Sequence, residues 1–149
     1  MNTWIAVFVG GGIGSLLRYG MSRALLLLDV RGAFPWATFG ANVISSAILA
    51  VALLRAQPHL HDRPALGAFI AVGICGGFST FSTFSYENFL LLREGLTGWA
   101  IANIALNVVA CLAILDPAAE ERRVQAAFLG RTEQMIRGNV TAYTVASPL

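Results

Sequence analysis

Four long apolar runs, each nearly free of charge, decide most of what this chain can become. They are roughly Trp4–Leu28, Trp36–Leu54, Ala65–Leu92 and Gly98–Leu115. A helix needs about 20 predominantly apolar residues to cross a bilayer, and each run is of that order. The second and fourth contain no charge; the first carries Arg18 and Arg23 toward its end, and the third only Glu87. Of 149 residues 56% are hydrophobic and 12% charged, whereas a soluble domain carries about 25% charge. The expected fold is an all-α membrane protein of four transmembrane helices, not a soluble bundle.

The third run contains its own disruption: Gly76-Gly77-Phe78-Ser79-Thr80-Phe81-Ser82-Thr83-Phe84-Ser85. Adjacent glycines weaken a helix, and hydroxyls compete for its backbone hydrogen bonds. A membrane helix tolerates a break only where the freed groups face protein, water or an ion. A broken third helix is therefore expected, with the functional centre at the break.

Several function classes drop out. No paired carboxylate, no Ser/His/acid set within the spans and no phosphate loop is present, so the chain does not read as an enzyme. Gly10-x-Gly12-x-x-Ser15 approaches a dinucleotide fingerprint, but the third glycine is missing and no strand–helix alternation follows. Cys75 and Cys111 lie inside spans and read as buried free thiols, with His59 and His61 in a loop, so no zinc site is expected. A net charge of +2 suggests no nucleic-acid partner. The N-terminus lacks a basic region and a clear cleavage site, so no signal peptide is expected.

Arginine placement reports orientation. Arg55 and Arg63, near the Gln57–Pro64 loop, stand on one side against Arg23, Arg31 and Arg93 on the other. That near balance permits insertion either way, while Arg122, Arg123, Arg131 and Arg137 in the tail favour an inside C-terminus. Asp116-Pro117 stops the fourth span, since the residue before proline avoids helical geometry. Residues 1–115 are expected to form the membrane domain and 116–149 a polar, partly disordered tail. Ala118–Phe128 reads as a short surface helix, and Asn139-Val140-Thr141 as a chance match to a glycosylation sequon.

Four spans enclose little interior, so a polar pathway calls for a second copy. Gly10–Gly14 and Gly73–Gly77 carry the Gly-x-x-x-Gly spacing of close helix packing, within one chain or between two. Polar residues form stripes: Thr38, Asn42 and Ser46, with Ser45 beside them, on the second span, and Asn103, Asn107 and Cys111 on the fourth. Such groups hydrogen-bond between helices or line a path. Phe81 and Phe84 either pack or turn positive ring edges inward, which suits an anion that must enter and leave easily. Arg18 either snorkels or draws anions to a vestibule. Glu87, near the end of its span, is an interfacial structural group or a proton-coupling site.

These residues resemble a known family, the small fluoride channels called Fluc or CrcB. The likeness covers about residues 4–115: Gly10-Gly11-Gly12-Ile13-Gly14-Ser15-Leu16-Leu17-Arg18-Tyr19, Asn42, and above all Gly73-Ile74-Cys75 continuing through Gly76–Ser85 to Tyr86-Glu87. The resemblance implies an antiparallel, dual-topology homodimer in the bacterial inner membrane, exporting fluoride passively and protecting the cell from it. It implies a structural sodium ion at the dimer interface, held by backbone carbonyls of Gly76 and Ser79. It places Asn42, Phe81, Phe84, Ser82 and Thr83 on the fluoride pathway, with Asn103 and Asn107 added from the fourth span. Ser79 stands where the family usually has threonine, a change that a backbone ligand survives. Ser45 replaces a common glycine. The longer tail raises pairing with an oppositely inserted homologue as an alternative to the homodimer. Two other functions remain on the table: a small proton-coupled multidrug exporter, which would need a deep acidic residue, and an accessory membrane subunit with no transport of its own.

Overall fold

The computed structural model describes residues 2–30, 32–55 and 62–116, with the side chains of Leu54 and Arg55 set aside. Arg31, residues 57–61 with His59 and His61, and everything expected of the tail beyond Asp116 lie outside the described residues. The described elements are helical throughout. Helix α1 is Thr3–Leu27 and α2 is Trp36–Arg55. Residues 64–78 form α3, α-helical at Pro64–Gly67 and Gly76–Phe78 and π-helical at Ala68–Cys75. Helix α4 is Phe81–Arg93 and α5 is Thr97–Leu115. Counting residues 64–93 as one span, four are long and apolar enough to cross a membrane. Their bounds fall within one residue of the sequence expectation at each end.

Local chemistry explains the helix ends. The Asn2 side chain caps α1 by accepting from the Trp4 N–H at 3.0 Å. Helix α4 ends where Gly95 takes φ 76° and the Leu96 N–H returns to Leu91 O at 2.8 Å. Only a residue without a Cβ adopts that left-handed turn at no steric cost. Phe34, Trp36, Phe39 and Trp99 cluster where α2 and α5 begin, with Phe34 and Trp36 ring centroids 4.6 Å apart.

The tightest packing joins α1 to α3, and it is made by glycines. A Cβ added to Gly73 would lie 2.8 Å from Gly10 Cα, and one on Gly77 would lie 2.6 Å from Gly11 O. Gly14 likewise meets the backbone of Ile74 and Phe78. Without a hydrophobic force between lipid-solvated helices, such close backbone approach maximises dispersion contact. Gly10, Gly14, Gly73 and Gly77 thus serve packing within one chain. Gly12 and Gly76 have nothing within 4 Å.

Candidate functional site

The chain leaves helical geometry one turn later than the glycines suggest. Gly76–Phe78 stays helical; Ser79 (φ −68°, ψ 158°) and Thr80 (φ −153°, ψ 119°) are extended, and α4 begins at Phe81. The cause is competition for one donor. The Thr80 N–H, which would otherwise close a helical bond onto Gly76 O, donates instead to Asn42 Oδ1 at 2.9 Å. Upstream, Cys75 O accepts from the Ser79 N–H at 3.0 Å and from the Ser79 and Ser45 hydroxyls, each at 2.8 Å. Downstream, Thr80 Oγ1 caps α4 by accepting from the Thr83 N–H at 3.2 Å, and its hydroxyl lies 3.2 Å from Ser82 Oγ and 3.1 Å from Thr83 Oγ1.

A cavity of ≈ 380 Å³ lies beside these extended residues. Asn42, Ser79, Thr80, Phe81, Phe84 and Asn107 line it, with Ser46 and Cys111 supplying further polar atoms and Val108 and Leu112 apolar wall. No lining residue carries a charge. The phenyl rings of Phe81 and Phe84 lie 5.7 Å apart, tilted 39°. Phe81 is 79% exposed. Asn42 Nδ2 donates to Asn107 Oδ1 at 2.9 Å, which joins the two polar stripes across α2 and α5.

Other sequence candidates fall elsewhere. Arg18, Thr83 and Glu87 share a second cavity of ≈ 250 Å³ with Ser15, Ser22 and Thr38. There Arg18 Nη1 approaches Ser79 O at 3.4 Å, and Thr38 Oγ1 donates to Glu87 Oε1 at 2.8 Å, while Glu87 Oε2 is buried with no hydrogen-bond partner among the described residues. Glu87 sits more than one turn inside α4, which runs on to Arg93. Asn103 is 0% exposed and faces neighbours, not the cavity. Cys75 is buried, whereas Cys111 is half-buried on the cavity wall. Sequence reasoning passed over Thr80, Asn88 and the bond from Thr38 to Glu87. A hydroxyl three residues ahead of the Thr83 amide was the signal for the Thr80 cap, and an amide inside an apolar span was the signal for Asn88.

Comparison with known proteins agrees on one family. The profile of the family described as "CrcB-like protein, Camphor Resistance (CrcB)" matches residues 5–116. A protein of Enterobacter sp. (strain 638) is 40% identical over 110 residues, covering 74% of this chain and 85% of the relative. One from Cronobacter sakazakii is 42% identical over 108 residues, 72% of this chain and 84% of its own. One from Shewanella piezotolerans is 40% identical over 116 residues, 77% and 91% respectively. All three are called "Fluoride-specific ion channel FluC".

Proposed function

The chain belongs to the CrcB-like family, and on that premise we propose that it is a fluoride-selective channel. It passes fluoride down its electrochemical gradient out of the cell and so lowers cytoplasmic fluoride. The names of its relatives support the ion. The observation that carries the reading is the meeting of Asn42, Phe81 and Phe84 around one uncharged cavity beside the extended Ser79-Thr80 pair.

The chemistry of that cavity suits a small hard anion. Stripping fluoride of water in an apolar passage costs, in the idealised limit, tens of kcal/mol. Asn42 Nδ2 has one hydrogen beyond the one given to Asn107. The Ser46 hydroxyl and the positive edges of Phe81 and Phe84 supply further partial charge, while the Ser79 and Thr80 hydroxyls give their hydrogens to Cys75 O and Thr83 Oγ1. None is a full cation, so none holds the ion too tightly to release it. Ser82 and Thr83 continue the hydroxyl line from the Thr80 cap, and Arg18 brings a positive charge to the second cavity, which Glu87 shares.

The fuller reading is an antiparallel, dual-topology homodimer in the bacterial inner membrane, with the third span broken at its centre. Phe81 at 79% exposure and open space around Gly76 leave room for a second copy; an oppositely inserted homologue is the other candidate partner. Residues 1–115 would form the channel domain, as the expected boundary has it. The Gly76 and Ser79 carbonyls of the two chains would hold a structural sodium ion. The residues fit it: Gly76 O has lost the Thr80 N–H to Asn42, and Ser79 O is met by Arg18 only at the long distance of 3.4 Å. Such an ion supplies fixed positive charge near the pathway.

The test is fluoride-electrode efflux from liposomes carrying purified protein, with chloride as comparison and no proton gradient. Fluoride leaking no faster than from protein-free vesicles refutes the proposal. The unpartnered Glu87 Oε2 is the one observation that favours the proton-coupled exporter; proton-driven cation export abolished by Glu87→Gln would establish that reading instead. Co-purification with a constant partner and no flux from the isolated chain would mark an accessory subunit.

A further inference from the structure

Four side-chain amides run head to tail through the chain from Thr80 to Phe84. The Thr80 N–H donates to Asn42 Oδ1 at 2.9 Å, and Asn42 Nδ2 to Asn107 Oδ1 at 2.9 Å. Asn107 Nδ2 donates to Asn103 Oδ1 at 2.8 Å, Asn103 Nδ2 to Asn88 Oδ1 at 3.2 Å, and Asn88 Nδ2 to Phe84 O at 2.7 Å. The series crosses from α2 to α5 to α4. Both of its ends are backbone groups. An N–H can only donate and a carbonyl can only accept, so the two ends together fix the direction of every amide between them. Turning any one amide over would set oxygen against oxygen on one side and nitrogen against nitrogen on the other.

The fixed direction has a consequence in the cavity. All four Oδ1 atoms are engaged as acceptors. Asn107 Nδ2 spends its hydrogens on Asn103, at Oδ1 and at the backbone carbonyl 3.0 Å away. Of the two amides that line the cavity, only Asn42 retains a hydrogen for a guest, and neither presents an unengaged oxygen. These two amides therefore offer an anion a donor and keep their oxygens engaged. Asn88 and Asn103 touch no part of the cavity, and at 6% and 0% exposure they have no access to a passing ion.

We propose that Asn88 and Asn103 are positioning residues: through Asn107 they hold the Asn42 amide with its N–H toward the passing anion. This rests on the cavity being the anion path. Buried amide networks are high-stakes in this way, because a half-satisfied one is free to reorganise.

The test combines two measurements on Asn88→Leu. The protein is labelled with [15N]asparagine, and the Asn42 side-chain amide signal is identified by its loss in Asn42→Ser. Among the described side-chain amides, Asn88 is linked to Asn42 through Asn103 and Asn107, so the expected result is a displaced or doubled Asn42 signal. It comes with fluoride efflux lower by about 3- to 10-fold, the worth of one net hydrogen bond, and unchanged oligomer elution. An Asn42 signal identical to the parent, or undiminished efflux with a displaced signal, overturns the proposal. Should Asn88→Leu fail to assemble, Asn88→Asp keeps the shape, lacks the donor to Phe84 O and is read by the same outcomes. The amide signal does not depend on transport. Absent fluoride flux in the parent protein would therefore refute the channel reading alone, and an unmoved Asn42 signal would refute the positioning role alone.

Discussion

Replacing Gly73 by alanine should loosen the contact between α1 and α3 and lower the stability of the whole chain. The added Cβ would stand 2.8 Å from Gly10 Cα and 3.1 Å from both Gly10 C and Gly11 N. Carbon atoms rest about 3.5–4.0 Å apart, so the helices must part by about 1 Å at this level. Every obstacle is backbone, and no side chain can rotate away. A gap of that size forfeits about a quarter to a half of each contact around it. Overpacking of this kind costs about 1–3 kcal/mol, and the first one or two already change the folded-to-unfolded ratio about 5- to 30-fold. Thermal unfolding in detergent, followed by tryptophan fluorescence, reads the effect directly. Gly73→Ala should lower the midpoint by at least about 2 °C. Gly20→Ala on α1, with nothing within 4 Å of its new Cβ, should leave it level or raise it, since alanine is the better helix former. Equal midpoints for Gly73→Ala and the parent would refute the reasoning.

Asn42→Asp should cut fluoride efflux more than about tenfold, because a carboxylate in the cavity repels an anion a few Å away by several kcal/mol even at moderate dielectric; undiminished efflux would put the path elsewhere. Phe81→Ile and Phe84→Ile should each lower efflux by removing a positive ring edge, with the Phe81 variant folding normally because that ring is 79% exposed; flux unchanged in both would remove the rings from the path. Thr80→Val keeps the N–H to Asn42 but removes the α4 cap, and should cost about 0.5–2 kcal/mol by thermal unfolding; a midpoint equal to the parent's would show the cap to be idle. Gly76→Ala meets nothing within 4 Å among the described residues, so the fold should persist while the dimer fraction in cross-linking falls; full dimerisation would take Gly76 away from the proposed dimer centre.

Much of this architecture is readable in the sequence because hydropathy in lipid is a strong constraint. Each apolar run became a span, since a helix satisfies every backbone group internally and few other structures can. The polar stripe on α2 was equally legible, because i, i+4 spacing places Thr38 and Asn42 on one face wherever the helix lies. What the stripe touches was not legible. Thr38 meets Glu87, whereas Asn42 meets Thr80 and Asn107, and spacing within one helix says nothing about its neighbours. Asn103 shares a stripe with Asn107, yet one is wholly enclosed and the other is at the cavity. A rotation of α5 by a fraction of a turn separates those fates. Within the Gly76–Ser85 segment, the hydroxyl residues and not the glycines carry the extended backbone. Gly77 is small because Gly11 of α1 presses on it, and the chain leaves the helix only after Phe78.

The extended backbone at Ser79 and Thr80 bears on the proposed selectivity. An interrupted membrane helix leaves an N–H that must find an acceptor. An aspartate on α2 could accept from Thr80 equally well, but its second oxygen would face the cavity as a charge. A serine would satisfy the amide only with a shorter reach and a single hydrogen to offer. Asparagine accepts on one side and donates on the other, so satisfying the Thr80 N–H forces Asn42 Nδ2 away from it, toward Asn107 and the cavity. The interruption thus sets the polarity of the amide from one end, while Asn88 and Phe84 O set it from the other. On the proposed path, an anion meeting Asn42 would find the donor side, because the acceptor side is already committed to the Thr80 N–H.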